Sequence, residues 1–431
     1  MAILPTQKVD FAENQGAEKK NYKPALISLA VLYFMMGLIT CLNDTLVPFF
    51  KKGFNLTYAE SSLVQFYFFL TYGIMSIPSG KIVGKIGYKN GMVLGFTIAA
   101  FGALLFYPAS ILHQYVIFLS ALFIIAVGIV LLQVAANPYI TMLGPARTAS
   151  SRLTLVQGVG SIGTTVAPLL GSFFILAHIH ESGGSSSAVG LPYLGIAFLL
   201  ILIAFVVFRL KLPTISNSDI KLENLVAVKS KSIFSFRNLN FGVWAIFFYV
   251  GAEVTIGSYL TNYISDTLSI DVHKANNFVA FYWGGMLIGR LLGSFILQKV
   301  KPSRVLSFCA IIAISLIVTS ISTTGYLAVW SMISVGFFNA VMFAIIFSLS
   351  ANGLGKYTTQ ASGLLSTAIV GGAIISYLMG TLIDISTWGI AFILPALCYM
   401  YILFYGVNGY KSKYSSIGNE LSSRLEVEIP L

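Results

Sequence analysis

Residues 115–140 read YVIFLSALFIIAVGIVLLQVAANPYI, and this stretch decides the fold class. It contains no charged side chain, and its carboxamides, Gln133 and Asn137, both stand near one end. At a rise of about 1.5 Å per residue, a helix of this length exceeds the roughly 30 Å hydrocarbon core of a bilayer. The stretch therefore predicts a transmembrane helix.

The composition of the whole chain is that of a membrane protein. Hydrophobic residues make up 57% of the 431 residues, charged residues make up 10%, and the mean hydropathy is +0.85. Because a soluble domain carries about a quarter charged residues, this chain lacks the polar shell of a soluble globular protein. The three cysteines, Cys41, Cys309 and Cys398, lie in apolar stretches and show no spacing typical of a disulfide framework or a metal site.

Twelve apolar runs, each of roughly 20 residues, follow one another along the chain. They lie at 25–48, 60–80, 91–111, 114–140, 153–177, 191–210, 239–265, 275–298, 304–323, 326–351, 359–383 and 387–408. We therefore predict an all-α membrane protein with twelve transmembrane helices in two pseudo-symmetric six-helix bundles. The predicted organisation is a tail at 1–24, a first bundle at 25–210, a linker at 211–238, a second bundle at 239–410 and a tail at 411–431.

The positions of the basic residues predict the orientation. If the N-terminus is cytoplasmic, every lysine and arginine falls in a cytoplasmic segment except Lys51, Lys52 and Lys274. The positive-inside rule then places both termini and the linker in the cytoplasm. In this assignment Arg290 is one of the basic residues in the cytoplasmic segments, which we call the cytoplasmic set. The net charge of +11 thus indicates membrane orientation and no nucleic-acid partner.

Two acidic residues lie deep in the apolar spans, Asp44 in the first and Glu253 in the seventh. A carboxylate at this depth costs a few kcal/mol, so such residues usually face a water-filled path or a binding cavity. Glu253 has no lysine or arginine within its own span. We expect Asp44 and Glu253 to bind a coupling cation. Removal from water favours the protonated form of a carboxylate, and carboxylates with freed backbone carbonyls are also the ligands that Na⁺ needs.

Polar and aromatic side chains inside the spans form a candidate binding set. Carboxamides can bond pairs of hydroxyls, and aromatic rings can stack on the C–H face of a sugar. An alternative for each lone polar residue is a hydrogen bond between helices. Composition alone therefore indicates a polar solute, and the candidate contacts are Asn43, Gln133, Asn137, Gln157, Asn262, Tyr282, Trp283 and Asn339.

Motifs of common enzymes do not occur in the sequence. It has no phosphate-binding P-loop, no HExxH, no GxSxG and no Cys/His cluster. We expect no catalytic activity, no resident metal and no cofactor other than a coupling ion, H⁺ or Na⁺.

Several motifs, in order, resemble those of the major facilitator superfamily, and within it the fucose permease and glucose/galactose transporter family. They are Leu42-Asn43-Asp44, Val134-Ala135-Ala136-Asn137-Pro138-Tyr139, Leu143-Gly144-Pro145, Tyr249-Val250-Gly251-Ala252-Glu253-Val254, Phe281-Tyr282-Trp283-Gly284-Gly285 and Pro395-Ala396-Leu397-Cys398-Tyr399. Asp44 matches an acid that the resemblance implicates in proton coupling. Gln133 stands where fucose permease-like members carry a glutamate, which is similar to the glucose/galactose branch, some of whose members use sodium.

The residues and the resemblance together predict a secondary transporter that imports a hexose by symport with H⁺ or Na⁺ through alternating access. Fucose, N-acetylglucosamine or another monosaccharide is an alternative substrate. An exporter of a different polar solute and a non-transporting sensor are the rival functions. We expect a monomer whose partners are a monosaccharide and the lipid bilayer, located in the inner membrane of a bacterium.

Overall fold

The computed structural model describes residues 25–39, 58–171, 190–210, 212 and 232–412, and within these ranges the chain is helical and contains no strand. Each of the twelve predicted spans corresponds to a helix or to a short run of helices, labelled here α1 to α12. Their bounds are α1 Ala25–Ile39, α2 Tyr58–Ile86, α3 Tyr88–Leu112, α4 Tyr115–Met142, α5 Ala149–Gly171, α6 Gly190–Arg209, α7 Arg237–Leu268, α8 Val272–Lys299, α9 Pro302–Ser322, α10 Gly325–Ala351, α11 Gly355–Ile385 and α12 Trp388–Gly409.

Length and hydropathy separate these helices into two groups. Within the described residues, nine helices are long and apolar enough to cross a membrane, and these are α3, α4 and α6 to α12. Of the other three, α1 is apolar but its described part, Ala25–Ile39, is shorter, and serine, threonine and glycine dilute the apolar sequence of α2 and α5. The linker was predicted to extend to residue 238, but α7 begins at Arg237, after a short 3₁₀ turn at Ile233–Ser235.

Glycines allow the helices within each bundle to approach closely. A Cβ atom on Gly128 of α4 would lie 2.6 Å from the backbone oxygen of Gly95 on α3. In the second bundle, a Cβ on Gly336 of α10 would lie 2.5 Å from the backbone oxygen of Tyr282 on α8. Because lipid supplies no hydrophobic driving force between helices, close packing of small residues is a main source of their association.

Basic residues cap helix ends at one end of the molecule, which we call the basic end. Arg152 donates from Nη2 to the Thr141 carbonyl at 2.7 Å, from Nε to the Ile140 carbonyl at 3.2 Å and from Nη1 to the Pro145 carbonyl at 3.0 Å. These contacts satisfy carbonyl groups that the end of α4 leaves without an intrahelical partner. Other described residues at this end are Lys81, Lys85, Lys89, Arg209, Arg237, Lys299, Lys301, Arg304 and Lys356.

The two bundles meet in a seam that runs from the middle of the molecule to the basic end. Ser151 on α5 donates to the Ser294 carbonyl on α8 at 2.6 Å, and the hydroxyls of Ser150 and Ser348 bond each other. Between α2 and α11, a Cβ on Gly363 would lie 2.7 Å from the Ser76 carbonyl oxygen. The bundles are therefore in tight backbone contact at the basic end.

A proline in α4 creates one of the seam contacts. Pro138 lies inside the helix and has no N–H, so the carbonyl of Val134, four residues earlier, lacks its usual helical donor. The Ser362 hydroxyl on α11 donates to this carbonyl at 2.9 Å. A carbonyl freed in the first bundle is thus satisfied by a side chain of the second.

Candidate functional site

A cavity of about 290 Å³ lies between the two bundles, at the inner limit of the seam. Helices of both bundles contribute to it, and several contribute polar side chains. The residues that line it are Tyr33, Met36, Gly37, Phe68, Tyr72, Gln133, Asn137, Gln157, Gly160, Ser161, Thr164, Val250, Glu253, Arg290, Phe343 and Ile369.

Three of the predicted contacts, Gln133, Asn137 and Gln157, form a carboxamide wall of this cavity. Gln133 and Asn137 are four residues apart on α4 and so share one helix face. The Tyr33 hydroxyl on α1 donates to Asn137 Oδ1, which orients that amide. The Oε1 atom of Gln157 is buried without a hydrogen-bond partner in the described structure. A buried unpaired acceptor is costly, so this oxygen is suited to receive a hydroxyl from a ligand.

Aromatic rings on α2 form a second wall of the cavity. Phe68 and Tyr72 are four residues apart, and their ring centroids are separated by 5.4 Å. Neither residue was a predicted contact, because an aromatic pair at this spacing is typical of ordinary helix packing. The sequence signal that could have identified them is their position in the second span, which is weakly apolar and contains a proline.

A charged pair lies on the second-bundle side of the cavity. Glu253 on α7 and Arg290 on α8 are 3.8 Å apart, and 14% and 20% of their side chains are exposed. The assignment of Arg290 to the cytoplasmic set was wrong, since Arg290 lies more than two helical turns from the end of α8 at Lys299 and lines the cavity. Glu253 does have a basic partner, which a neighbouring helix supplies.

Two predicted contacts lie behind the cavity wall. Asn339, at the break in α10, is fully buried and donates from Nδ2 to the Tyr282 hydroxyl at 3.0 Å. It also accepts from the Tyr399 hydroxyl at 2.6 Å, and the Tyr282 hydroxyl donates to the Glu253 backbone carbonyl at 3.1 Å. Tyr282 and Asn339 thus support the helix that carries Glu253 and do not line the cavity.

The remaining predicted residues lie elsewhere. Trp283 is 47% exposed on α8, and Asn262 lines a separate depression of about 370 Å³ with Asp266 and Asp384. Asn43 and Asp44 lie outside the described residues. No group of three or more His, Cys, Asp or Glu side chains that could hold a metal ion occurs in the described ranges.

Comparison with known sequences connects this architecture to transport proteins. Residues 29–377 match the family model of the Major Facilitator Superfamily. The glucose/galactose transporter of Brucella abortus biovar 1 (strain 9-941) is 44% identical over 413 residues, covering 95% of this chain and 99% of the relative. The L-fucose-proton symporter of Escherichia coli (strain K12) is 30% identical over 424 residues, covering 93% of this chain and 97% of the relative.

Solved structures show the same fold. The crystal structure of FucP, a major facilitator superfamily transporter, in the outward conformation matches with a TM-score of 0.81 and 29% identity, covering 90% of this chain and 99% of that one. A structure of XylE matches with a TM-score of 0.72 at 12% identity and covers 91% of this chain and 96% of that one, a likeness of fold alone. The twelve helices form the two six-helix bundles of this fold.

Proposed function

Because the chain belongs to the major facilitator superfamily, we propose that it is a secondary active transporter that imports a hexose by symport with a cation. The observation that carries this proposal is the cavity between the bundles, where carboxamides, aromatic rings and an acid come together. Its position between two pseudo-symmetric bundles is where alternating access requires the substrate site.

The cavity lining favours a monosaccharide as the substrate. Gln133, Asn137 and Gln157 offer amide donors and acceptors to ring hydroxyls, and the Gln157 oxygen has no partner of its own. Phe68 and Tyr72 offer ring faces to the C–H face of a pyranose. The names of the relatives from Brucella abortus and Escherichia coli support glucose or galactose first and fucose as the alternative.

On this proposal the coupling cation binds at Glu253, and Asp44, which lies outside the described residues, is a second site. The name of the Escherichia coli relative supports a proton, and Na⁺ is the alternative that the assay below distinguishes. Asn43, next to Asp44, remains a proposed sugar contact. The transporter acts as a monomer in the inner membrane with both termini in the cytoplasm.

The two bundles are in contact at the basic end. On the proposed orientation the basic end is cytoplasmic, and the seam between the bundles seals that end. Import then requires the seam to open while the bundles close over the cavity from the other side.

The test is transport by the purified chain in proteoliposomes. We expect counterflow of labelled glucose or galactose, and accumulation when a pH gradient or a Na⁺ gradient is imposed separately. Fucose and N-acetylglucosamine serve as competing substrates, and a peptide or nucleoside serves as a probe for the rival exporter. The hexose proposal fails if no labelled monosaccharide exchanges, and exchange without accumulation in either gradient contradicts symport.

Two aromatic variants test the location of the site. Phe68→Leu removes a ring from the cavity wall, and we expect a rise of about 2- to 12-fold in the sugar concentration for half-maximal counterflow, from the loss of about 0.5–1.5 kcal/mol of stacking. Trp283→Leu removes an exposed ring from α8 and is expected to leave that concentration unchanged. The opposite pattern would place the sugar at Trp283 and refute this site.

A further inference from the structure

Three buried hydroxyl groups on helices of the seam have no hydrogen-bond partner in the described structure. They are Thr154 Oγ1 on α5, Ser366 Oγ on α11 and Ser76 Oγ on α2, and at most 1% of each residue is exposed. Serine and threonine in membrane helices usually bond a carbonyl of their own helix or a group on a neighbouring helix. Burial of a hydroxyl without a partner is costly, so each of these three groups needs an explanation.

Thr154 lies between two contacts that α5 makes with the second bundle. Ser150 bonds the Ser348 hydroxyl on α10, and Ser151 donates to the Ser294 carbonyl on α8. Thr154 is one turn nearer the cavity, and around the helix axis it stands about 40° from the first of these serines and about 60° from the second. The unpaired hydroxyl of Thr154 is therefore inside the seam.

Ser366 has the same position on α11. Ser362 donates to the Val134 carbonyl on α4, and a Cβ on Gly363 would lie 2.7 Å from the Ser76 carbonyl oxygen on α2. Ser366 follows these two α11 residues by four and three positions, which is the spacing found on α5. It therefore also projects between two contacts with the opposite bundle.

The two unpaired hydroxyls are related by the pseudo-symmetry of the bundles. The helices α5 and α11 are the fifth helix of the first and of the second bundle. Three residues beyond each unpaired hydroxyl is a residue that lines the cavity, Gln157 after Thr154 and Ile369 after Ser366. The same unpaired group at the equivalent place in both bundles indicates a shared role, because an accident of packing would not be expected twice.

We propose that Thr154 and Ser366 are opening elements of the seam. Their hydroxyls are unpaired while the bundles are in contact at the basic end, and they bond water when the bundles separate there. The free-energy cost of the unpaired hydroxyl is present in the closed state alone, so it favours opening. The hydrogen bond from Ser362 acts in the opposite direction, because separation breaks it. The inference depends on the two-bundle fold and not on the identity of the solute.

This device keeps the closed seam within reach of a small ligand. A ligand can shift an equilibrium between two conformations only by the difference between its affinities for them. The close glycine contacts and the serine hydrogen bonds of the seam all favour the closed state. Two unpaired hydroxyls, one on each side of the seam, offset part of that preference, and their effects multiply because they are on different helices.

Two serines one turn apart on α11 provide a matched test. Ser366→Ala removes an unpaired hydroxyl, and Ser362→Ala removes a paired one by the same change of atoms. We expect Ser366→Ala to lower the ratio of open to closed seam about 5–150-fold, and Ser362→Ala to raise it by a factor in the same range. Overall destabilisation of the helix would not produce opposite signs at these two positions.

Distances between two spin labels measure this ratio directly. Lys85 on α2 and Lys301, just before α9, are exposed at the basic end of the first and the second bundle. Both are changed to cysteine in a chain whose three native cysteines are replaced by serine. Double electron–electron resonance in proteoliposomes then gives the fractions of chains with a short and with a long distance across the seam.

Substitutions on α5 repeat the test on the other side of the seam. Thr154→Val removes the unpaired hydroxyl and keeps the shape of the side chain, whereas Thr154→Ser keeps the hydroxyl. Both are introduced into the Ser362→Ala chain, in which we expect the open state to be well populated. Thr154→Val should lower the ratio of open to closed seam at least about fivefold, and Thr154→Ser should leave it within about twofold.

The signs of these shifts decide the outcome. A shift of Ser366→Ala in the same direction as Ser362→Ala, no opening in Ser362→Ala, or equal effects of Thr154→Val and Thr154→Ser would overturn the inference. The measurement needs no sugar. Absence of counterflow in the unmodified chain would therefore refute the proposed function and leave the role of the two hydroxyls to be decided by the distances.

Discussion

The closest approach between the bundles on the α2–α11 side of the seam leads to a prediction about Gly363. A Cβ atom on this residue would lie 2.7 Å from the Ser76 backbone oxygen and 3.5 Å from the Cα atoms of Ile77 and Gly80. All of these are backbone atoms of α2, so the contact cannot be relieved by a side-chain rotation. Gly363→Ala therefore requires the two helices to move apart by about half an ångström.

The free-energy cost of moving the two helices apart applies only to the conformation in which the seam is closed. Overpacking of a tight interface costs about 1–3 kcal/mol. Alanine also stabilises the helix itself more than glycine does. This contribution is the same with the seam open or closed, so it does not change the free-energy difference between the two states. A penalty of this size on the closed seam alone shifts the equilibrium between the two states about 5–150-fold toward opening at the basic end.

A cavity cysteine reports this shift. Thr164 lines the cavity, and Thr164→Cys is placed in a chain whose Cys41, Cys309 and Cys398 are replaced by serine. Labelling by a membrane-impermeant maleimide is compared in right-side-out and inside-out vesicles. We expect Gly363→Ala to raise the ratio of basic-end labelling to opposite-end labelling about 5–150-fold.

Gly195→Ala is the matched control, because a Cβ on Gly195 of α6 meets nothing within 4 Å. It introduces the same atom into a membrane helix without touching the seam. If Gly363→Ala and Gly195→Ala give the same labelling ratio, the seam is not the closed gate of this protein, and the steric reasoning is refuted.

Two further predictions concern helix carbonyls at the basic end. Ser362→Ala leaves the Val134 carbonyl without its donor, so we expect a shift of about 1–3 kcal/mol toward opening in the labelling assay. Pro138→Ala supplies a helical N–H to that carbonyl and should reduce the effect of Ser362→Ala; additive effects of the two changes would contradict this. Arg152→Gln removes the cap of α4 and should lower the stability of the detergent-solubilised protein by about 1–3 kcal/mol in thermal unfolding. Arg147→Gln, which loses one exposed 3.5 Å contact, should change it by less than about 0.5 kcal/mol, and equal losses would argue against the cap.

The all-helical membrane architecture could be predicted from the sequence because hydropathy is a local property. An apolar run long enough for the bilayer must be a helix, since lipid offers no partner to unpaired backbone groups. Twelve such runs divided by one polar linker left little choice of architecture. The carboxamides Gln133, Asn137 and Gln157, which line the cavity, were predicted as substrate contacts by the same reasoning, since polar groups in such runs need an aqueous or protein partner.

The assembly of the cavity was decided by contacts between helices distant in sequence. Arg290 was assigned to a helix end because its depth in α8 and its pairing with Glu253 depend on how α7 and α8 pack. From the sequence alone, Phe68 and Tyr72 could not be distinguished from aromatic residues that face lipid. Likewise, Tyr282 and Asn339 could not be distinguished from residues that line the cavity. A helix that is apolar on every side has no stripe to show which face turns inward. That rotation is set by close packing against neighbouring helices, and only the tertiary structure contains it.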